Sequence, residues 1–429
     1  MEITSSKKRY HQYLFIWAGQ LISLFGSSVV GFALIWWMTI MTGSAMFLAT
    51  NSFLTIIVMT ICMPIAGVFS DRFNRKVLII LADSLLAFSI ILGIILFQFD
   101  LMTIWVLLAF MSINSIFHAF HMPTFNAIVP SMVPPEKLMR INSISFFFVG
   151  SIQVFAQFIA SVLWLFFPIH IILWVDFITY LIALIPLIII EIPSVNDKQS
   201  TATEGLKKPS FFKEFITGVR ALKLIPGLII IIIMMMLTSF IMSPIKVLLP
   251  LYVYSTHSGS AGHFALTLIF FQGGMILGAL IPFIKKQWAH KARVIFICLG
   301  ITMIGYIILA LAPRGTYFII ALGAATMGLS FPIISTLSTT IIQTVVPLEK
   351  MGRIMSINQT ITILILPLGT ILSGPLAEIL GIPLLFFYSA ELGLIIAFSL
   401  WTLTNIRKLD YGNLGKIGEI SEKIKNLNK

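Results

Sequence analysis

The sequence predicts an all-α membrane protein with twelve transmembrane helices in two pseudo-symmetric six-helix bundles. Three observations predict it: an apolar composition, twelve long apolar runs, and a motif that recurs at half-length. Of 429 residues, 58% are apolar and 10% charged, whereas an ordinary soluble domain is about one quarter charged. Mean hydropathy is +1.02. No water-soluble surface can be made from this composition, and a disordered chain is excluded for the same reason.

One helical span needs roughly 20 apolar residues. Apolar runs lie near 13–40, 46–69, 77–97, 102–124, 141–166, 170–190, 227–251, 261–284, 293–312, 316–338, 354–377 and 383–404. The runs are too long for barrel strands and the breaks too short for a barrel's loops, so helices are expected. The first run is too long for a signal-peptide core and has no convincing cleavage site, so it reads as a retained span. Gly273, Gly274, Gly278, Pro332, Pro367, Gly369, Gly374 and Pro375 fall in these runs. Glycine lets helices approach, and proline bends are tolerated where neighbours satisfy the freed carbonyls. Cys62 and Cys298, the two cysteines, are too few for a disulfide framework or a thiolate site and read as small buried residues.

Lysine and arginine set the orientation. With both termini cytoplasmic, 26 of the 28 Lys and Arg residues fall on the inner side, and Lys246 and Arg314 lie outside or near it. The net charge of +12 is therefore a topology signal, and nucleic acid is not expected as a partner. The longest polar stretch begins at Glu191 and ends near Lys223. In its second part Phe212, Phe215, Ile216, Val219 and Leu222 share one helical face, which suits the inner membrane surface.

Residues 133–144 read VPPEKLMRINSI and residues 346–357 read VPLEKMGRIMSI, with eight of twelve positions identical at an offset of 213. The copies join spans 4 to 5 and spans 10 to 11. A repeat in one orientation at half the chain length implies two parallel six-helix halves with a substrate held between them. The expected division is a bundle at 1–190, a cytoplasmic linker with an amphipathic helix at 191–226, a second bundle at 227–404 and a cytoplasmic tail at 405–429.

Between spans 2 and 3 the chain reads Gly67-Val-Phe-Ser-Asp71-Arg72-Phe-Asn-Arg75-Lys76. Gly67 permits close approach, Asp71 is an anion at a helix boundary, and Arg72, Arg75 and Lys76 are its basic partners. This loop resembles that of the major facilitator superfamily. Ile16-Trp17-Ala18-Gly19-Gln20, Thr42-Gly43-Ser44-Ala45, Ala82-Asp83 and Phe120-His121-Met-Pro123-Thr-Phe-Asn126-Ala127 are similar to its macrolide-efflux, drug-exporter branch. The resemblance implies the major facilitator fold, a loop that latches the halves on the cytoplasmic side, and export of a drug or secondary metabolite driven by protons. Siderophore exporters belong to the same group, so export of an endogenous metabolite such as a siderophore or peptide is the alternative. Two features depart from the family pattern: Asn114 stands where proton-coupled members often carry Arg, and span 5 lacks the Gly-Pro antiporter motif.

Charges inside a bilayer are expensive and default to function. Four acids fall in or at the ends of spans: Asp83, Asp176, Glu378 and Glu391. Asp176 is the first candidate for proton coupling, with Asp83 and Glu391 behind it. The alternative for Asp176 is a bond to Ser, Thr or backbone that pins helices; Asp83 alternatively belongs to the inner latch or an interhelical bond. His118 and His121 sit three apart on span 4 and could titrate; two ligands do not make a metal site. Substrate-contact candidates are Gln20, Asn51, Asn114, His118, Gln153, Gln157, Gln272 and Asn358, each of which could instead be interhelical glue. Trp17, Phe25, Trp36 and Phe155 could offer aromatic surface. No phosphate-binding Gly-rich loop or catalytic triad stands out, so neither ATP, another cofactor nor an enzyme is expected. The expected partners are a small-molecule substrate, protons and the lipid bilayer, with the chain a monomer in the bacterial cytoplasmic membrane. A non-transporting membrane enzyme or sensor is the reading from another class.

Overall fold

The computed structural model describes residues 2–192, 227–285, 288, 290–346, 355, 358–360 and 362–404. The second copy of the repeat, apart from Val346 and Met355, lies outside them, as do the amphipathic stretch at 211–223 and the tail. Among the described residues the structure is helical, with no strand. Among the described residues, twelve helices are long and apolar enough to cross a membrane: Lys8–Thr42, Ala45–Ser70, Arg75–Gln98, Ile104–Val129, Glu136–Phe166, Ile169–Ile189, Leu228–Thr256, Ala261–Ile284, Lys291–Ala310, Tyr317–Thr344, Asn358–Leu380 and Ile382–Leu403. They are spans 1 to 12 below.

Local chemistry starts several helices where the sequence places them. Asn74 accepts the N–H groups of Lys76 and Val77 at 2.9 and 3.4 Å and caps span 3. Thr103 does the same for span 4 through the Val106 N–H at 3.3 Å. Pro135, with Glu136 in the first turn, starts span 5; proline has no N–H to leave orphaned there, and the acid suits the positive helix end. The repeat is visible in backbone geometry. Val133 ends the fourth helix in extended conformation with its N–H on the Val129 carbonyl at 2.9 Å. Val346, 213 residues on, ends the tenth span's helix in the same way with its N–H on Ile342 at 3.0 Å.

The chain divides into two compact units, Met1–Gly205 with Ser260–Ile269, and Leu206–Gly259 with Phe270–Lys429. In the first unit span 1 packs on spans 5 and 6, span 2 on span 4, and span 3 on spans 4 and 6. In the second, span 7 packs on spans 11 and 12, and span 9 on spans 10 and 12. Span 8 meets span 10 at glycines: a Cβ on Gly278 would stand 2.0 Å from the Leu329 carbonyl oxygen, and one on Gly328 2.0 Å from that of Phe271. Each unit thus repeats the other's pairing, shifted by six helices.

Spans 7 and 11 are broken. Span 7 consists of Leu228–Ile241, Ser243–Leu251 and a π-helical turn, Tyr252–Thr256. The last helix of span 11 starts at Leu366 with Pro367 in its first turn. The breaks meet, since a Cβ on Gly369 would lie 2.4 Å from the Ser243 hydroxyl. Span 7 runs past the expected end at 251 to Thr256 and contains Lys246. Cys298 is buried as expected, but Cys62 is only half-buried.

After span 7 the chain tucks into its own unit. His257 is 2% exposed, and its Nδ1 accepts the Gly315 N–H at 3.3 Å. Tyr317 donates to the His257 carbonyl at 2.8 Å, and Arg314 donates to the Ser258 hydroxyl at 2.8 Å. Burial, and then the Arg314 charge, hold the His257 ring below its ordinary pKa.

This packing sets two expected outcomes. Gly278→Ala should cost roughly 1–3 kcal/mol, the range for overpacking a filled interface, read as a lower melting temperature in detergent. Gly300→Ala should be neutral, because a Cβ there meets nothing within 4 Å. His257 is neutral when folded, so its contribution to stability is complete above its unfolded pKa of about 6.5 and declines as pH falls below it. His257→Gln should remove that decline from a pH series of melting temperatures.

Candidate functional site

The polar residues that the first unit carries into its spans fall on facing helix stripes. On span 4, Asn114, His118 and His121 are spaced by four and three, one face of a helix. On span 1, Gln20 and Ser27 are seven apart, two turns along one face. Span 3 supplies Asp83, Ser84 and Ser89, and span 6 supplies Asp176 and Tyr180, four apart. Packing of spans 1, 3, 4 and 6 against one another turns these stripes inward.

The central cluster joins three helices. The Gln20 amide nitrogen donates to Asp83 Oδ2 at 3.2 Å. His121 Nε2 lies 3.0 Å from the Gln20 oxygen and 3.3 Å from Asp83 Oδ1. Asp83 is 4% exposed and stands about 12 Å along span 3 from Arg75, at 1.5 Å per residue. His121 also stacks on Phe125, with centroids 6.0 Å apart. Beside the cluster, the hydroxyls of Ser84 and Tyr180 are 2.9 Å apart. Farther along, Ser27 donates to Asp176 Oδ1 at 2.8 Å and Gln153 donates to Ser28 at 3.2 Å. Gly26 makes this approach possible: a Cβ there would lie 1.9 Å from the Thr179 hydroxyl and 2.9 Å from the Asp176 Cα. Asn114 donates to the Phe110 carbonyl at 2.9 Å and accepts from Ser89.

The substrate-contact candidates therefore separate by what already holds them. Gln20, Asn114 and Gln153 bond to other polar groups. Asn51, Gln157 and Asn358 each keep a buried side-chain oxygen with no partner among the described residues, so they retain capacity to bind something else. His118 sits one turn from His121 on span 4. Gln272 is half-buried on span 8. Glu378 and Glu391 are exposed near the end of span 11 and on span 12. Of the aromatic candidates, Trp36 is 1% exposed and stacks on Phe264 at 5.6 Å, so it is packing, whereas Phe155 is 63% exposed. The Asp83–His121 pair is not legible in the sequence as a pair. The three-residue spacing of His118 and His121 is visible there, but their carboxylate lies on another helix.

The loop between spans 2 and 3 works as a corner of the first unit. Arg75 donates to the Ala127 carbonyl at 2.7 Å and to that of Ser70 at 3.5 Å. Lys76 donates to the carbonyls of Ile188 and Ile190 at 2.7 and 2.9 Å. Those oxygens belong to the last turn and cap of span 6, where a cation meets the negative helix end. Gly67 lies on span 2 with no atom within 4 Å of a built Cβ. Asp71 and Arg72 end the second helix, Ala45–Arg72; their side chains lie outside the described residues. Among the described residues no group of three His, Cys, Asp or Glu side chains could hold a metal.

Lys76→Met should free these carbonyls, speed hydrogen exchange of the Ile190 amide, which donates to Pro186 at 3.0 Å, and cost about 0.3–1 kcal/mol. Lys76→Arg should retain most of the protection.

Comparison with known proteins joins these observations to a family. The Major Facilitator Superfamily profile matches residues 16–369. Macrolide efflux protein A of Streptococcus pyogenes is 32% identical over 398 residues, covering 92% of this chain and 96% of that protein. Macrolide efflux protein A of Enterococcus faecalis is 30% identical over 330 residues, covering 76% of this chain and 99% of that protein. Among solved structures, nucleoside transporter NupG superposes with a TM-score of 0.69 at 15% identity, covering 91% of this chain and 98% of that one. A bacterial homologue of the human lysosomal transporter Spinster, inward-facing and occupied, gives 0.69 at 15%, covering 92% and 96%. At these identities the structures show the fold alone. With twelve apolar helices, the doubled pairing of its units and this match, the chain belongs to the major facilitator superfamily of membrane transporters.

Proposed function

We propose that this protein is a secondary transporter that exports a bulky amphiphilic, macrolide-like compound across the bacterial cytoplasmic membrane. The observation that carries the reading is the near full-length similarity to Macrolide efflux protein A of Streptococcus pyogenes, 32% identical over 92% of this chain. Export proceeds by alternating access, coupled to proton influx. The halves at 1–190 and 227–404 act as the moving bodies, joined by the linker at 191–226, with the tail at 405–429 and both termini cytoplasmic. The exporter works as a monomer and needs no cofactor.

Physical features support the parts of this reading. Spans 7 and 11 are interrupted at Met242 and Ile365, and irregular backbone at membrane depth belongs where it is buried or lines a cavity. Asn51, Gln157 and Asn358 offer uncommitted oxygens, suited to the hydroxyls of a polyketide ring. Asp71, Arg72, Arg75 and Lys76 form the cytoplasmic latch, and Gly67 leaves room for it to close. The proton site includes one of the acids that the spans carry, Asp176, Asp83 or Glu391.

Expression in a drug-sensitive bacterial host should lower accumulation of erythromycin, and Asp71→Asn should reduce that export at least tenfold with membrane insertion intact. Unchanged accumulation across a panel of macrolides and other amphiphiles would remove the drug-export reading, and full export by Asp71→Asn would remove the latch.

A further inference from the structure

We propose that Asp83, His121 and Gln20 form the one-proton site of the transport cycle, with the proton entering and leaving at His121 Nδ1. This rests on the export reading above and assigns its proton to a definite place. Hydrogen-bond inventory sets the chemistry. His121 Nε2 faces two acceptors, the Gln20 oxygen at 3.0 Å and Asp83 Oδ1 at 3.3 Å, so it carries a hydrogen and donates. The Gln20 amide nitrogen donates to the second carboxylate oxygen at 3.2 Å. Asp83 therefore accepts as a carboxylate, and both ends of the Gln20 amide are engaged.

One titratable atom remains, His121 Nδ1, which has no hydrogen-bond partner among the described residues. A proton there turns imidazole into imidazolium and forms one N–H bond; its departure breaks that bond. Neither state disturbs the hydrogen bond to Gln20 or the close approach to Asp83. Net charge at the cluster changes from one negative charge to none. A lone buried anion is costly away from water and an ion pair less so. A conformational change that alters hydration of this site therefore alters its proton affinity, which is what coupling requires. The histidine side chain is 14% exposed, against 5% for that of Asp83, so the proton has a way in at the imidazole.

The other titratable groups facing the pair are His118 on span 4 and Asp176 and Tyr180 on span 6; span 1 contributes Gln20. Arg75 and Lys76 are held by backbone carbonyls at the helix ends. Asp176 differs in kind. A Ser27 hydroxyl satisfies one of its oxygens, and among the described residues it forms no ion pair, so it pins spans 1 and 6.

Two readouts test the assignment with the full-length protein. In proteoliposomes holding a pH dye, erythromycin should drive proton movement, and Asp83→Asn and His121→Asn should each reduce it at least tenfold, with Asp176→Asn close to wild type. The second readout needs no substrate. Unfolding free energies of Asp83→Asn, His121→Asn and the double variant are compared in detergent at one pH. The double variant should fall short of the sum of the two single effects, since each substitution breaks the same pair. Wild-type proton movement in either variant, or strict additivity of the two substitutions, would overturn the proposal. A wild-type protein that moves no protons with any macrolide would defeat the export reading, and the double-mutant comparison would then test the pair alone.

Discussion

A polar group that the chain carries into hydrocarbon is costly unless it finds a partner inside the protein, because no water is there to take it. That constraint organises the first unit. Its spans are apolar outside, with Phe88, Phe158, Ile185 and Ile188 exposed, and its polar side chains meet at the interior faces of spans 1, 3, 4 and 6. Asp83 is held by an amide and an imidazole, Asp176 by a hydroxyl, and Asn114 by Ser89 and a carbonyl. Hydroxyls on Thr39, Ser112, Ser115 and Thr124 return to the carbonyl four residues back, which satisfies them within their own helix. The bonds between helices do in lipid what apolar burial does in water: they choose which helix faces meet.

Close packing supplies the rest. Helix association in lipid depends on van der Waals contact, since lipid tails are as apolar as leucine, and small residues let backbones approach. Gly26 brings span 1 onto span 6 beside Asp176, and Gly274, Gly278 and Gly328 bring span 8 onto span 10. The two units reach the same pairing with different means. The first holds its interior together with side-chain bonds, and the second relies on glycine contacts and on buried Tyr252, whose hydroxyl donates to the Leu309 carbonyl at 2.8 Å. The helix order is thus repeated in the two units while the contacts that hold it differ.

The helices are legible in the sequence because each apolar run is a local property, decided within some 20 residues. The repeat is legible for a similar reason: VPPEKLMRINSI opens a helix with proline and glutamate, and those preferences are local. Pairing across long separations is not. Asp83 and His121 lie 63 and 101 residues from Gln20 in the chain, and a helical stripe on one span does not name its partner on another. Span 7 outruns its apolar run, which ends at 251, because the π turn carries it on to Thr256. For Asp176 the sequence leaves two roles open, proton coupling and a helix-pinning bond, and its Ser27 partner lies 149 residues away in the chain. Arg75 and Lys76 look in the sequence like partners for a neighbouring acid; in the structure they meet carbonyls at helix ends, which carry no sequence signal.

The interior bonds of the first unit act as interhelical ties. A double-mutant cycle on Gln20→Leu and Asp83→Leu, read from detergent unfolding free energies, measures this directly. The expected coupling free energy is about 0.6–1.7 kcal/mol, the range of interhelical hydrogen bonds measured in a membrane protein. Strict additivity of the two substitutions would contradict it.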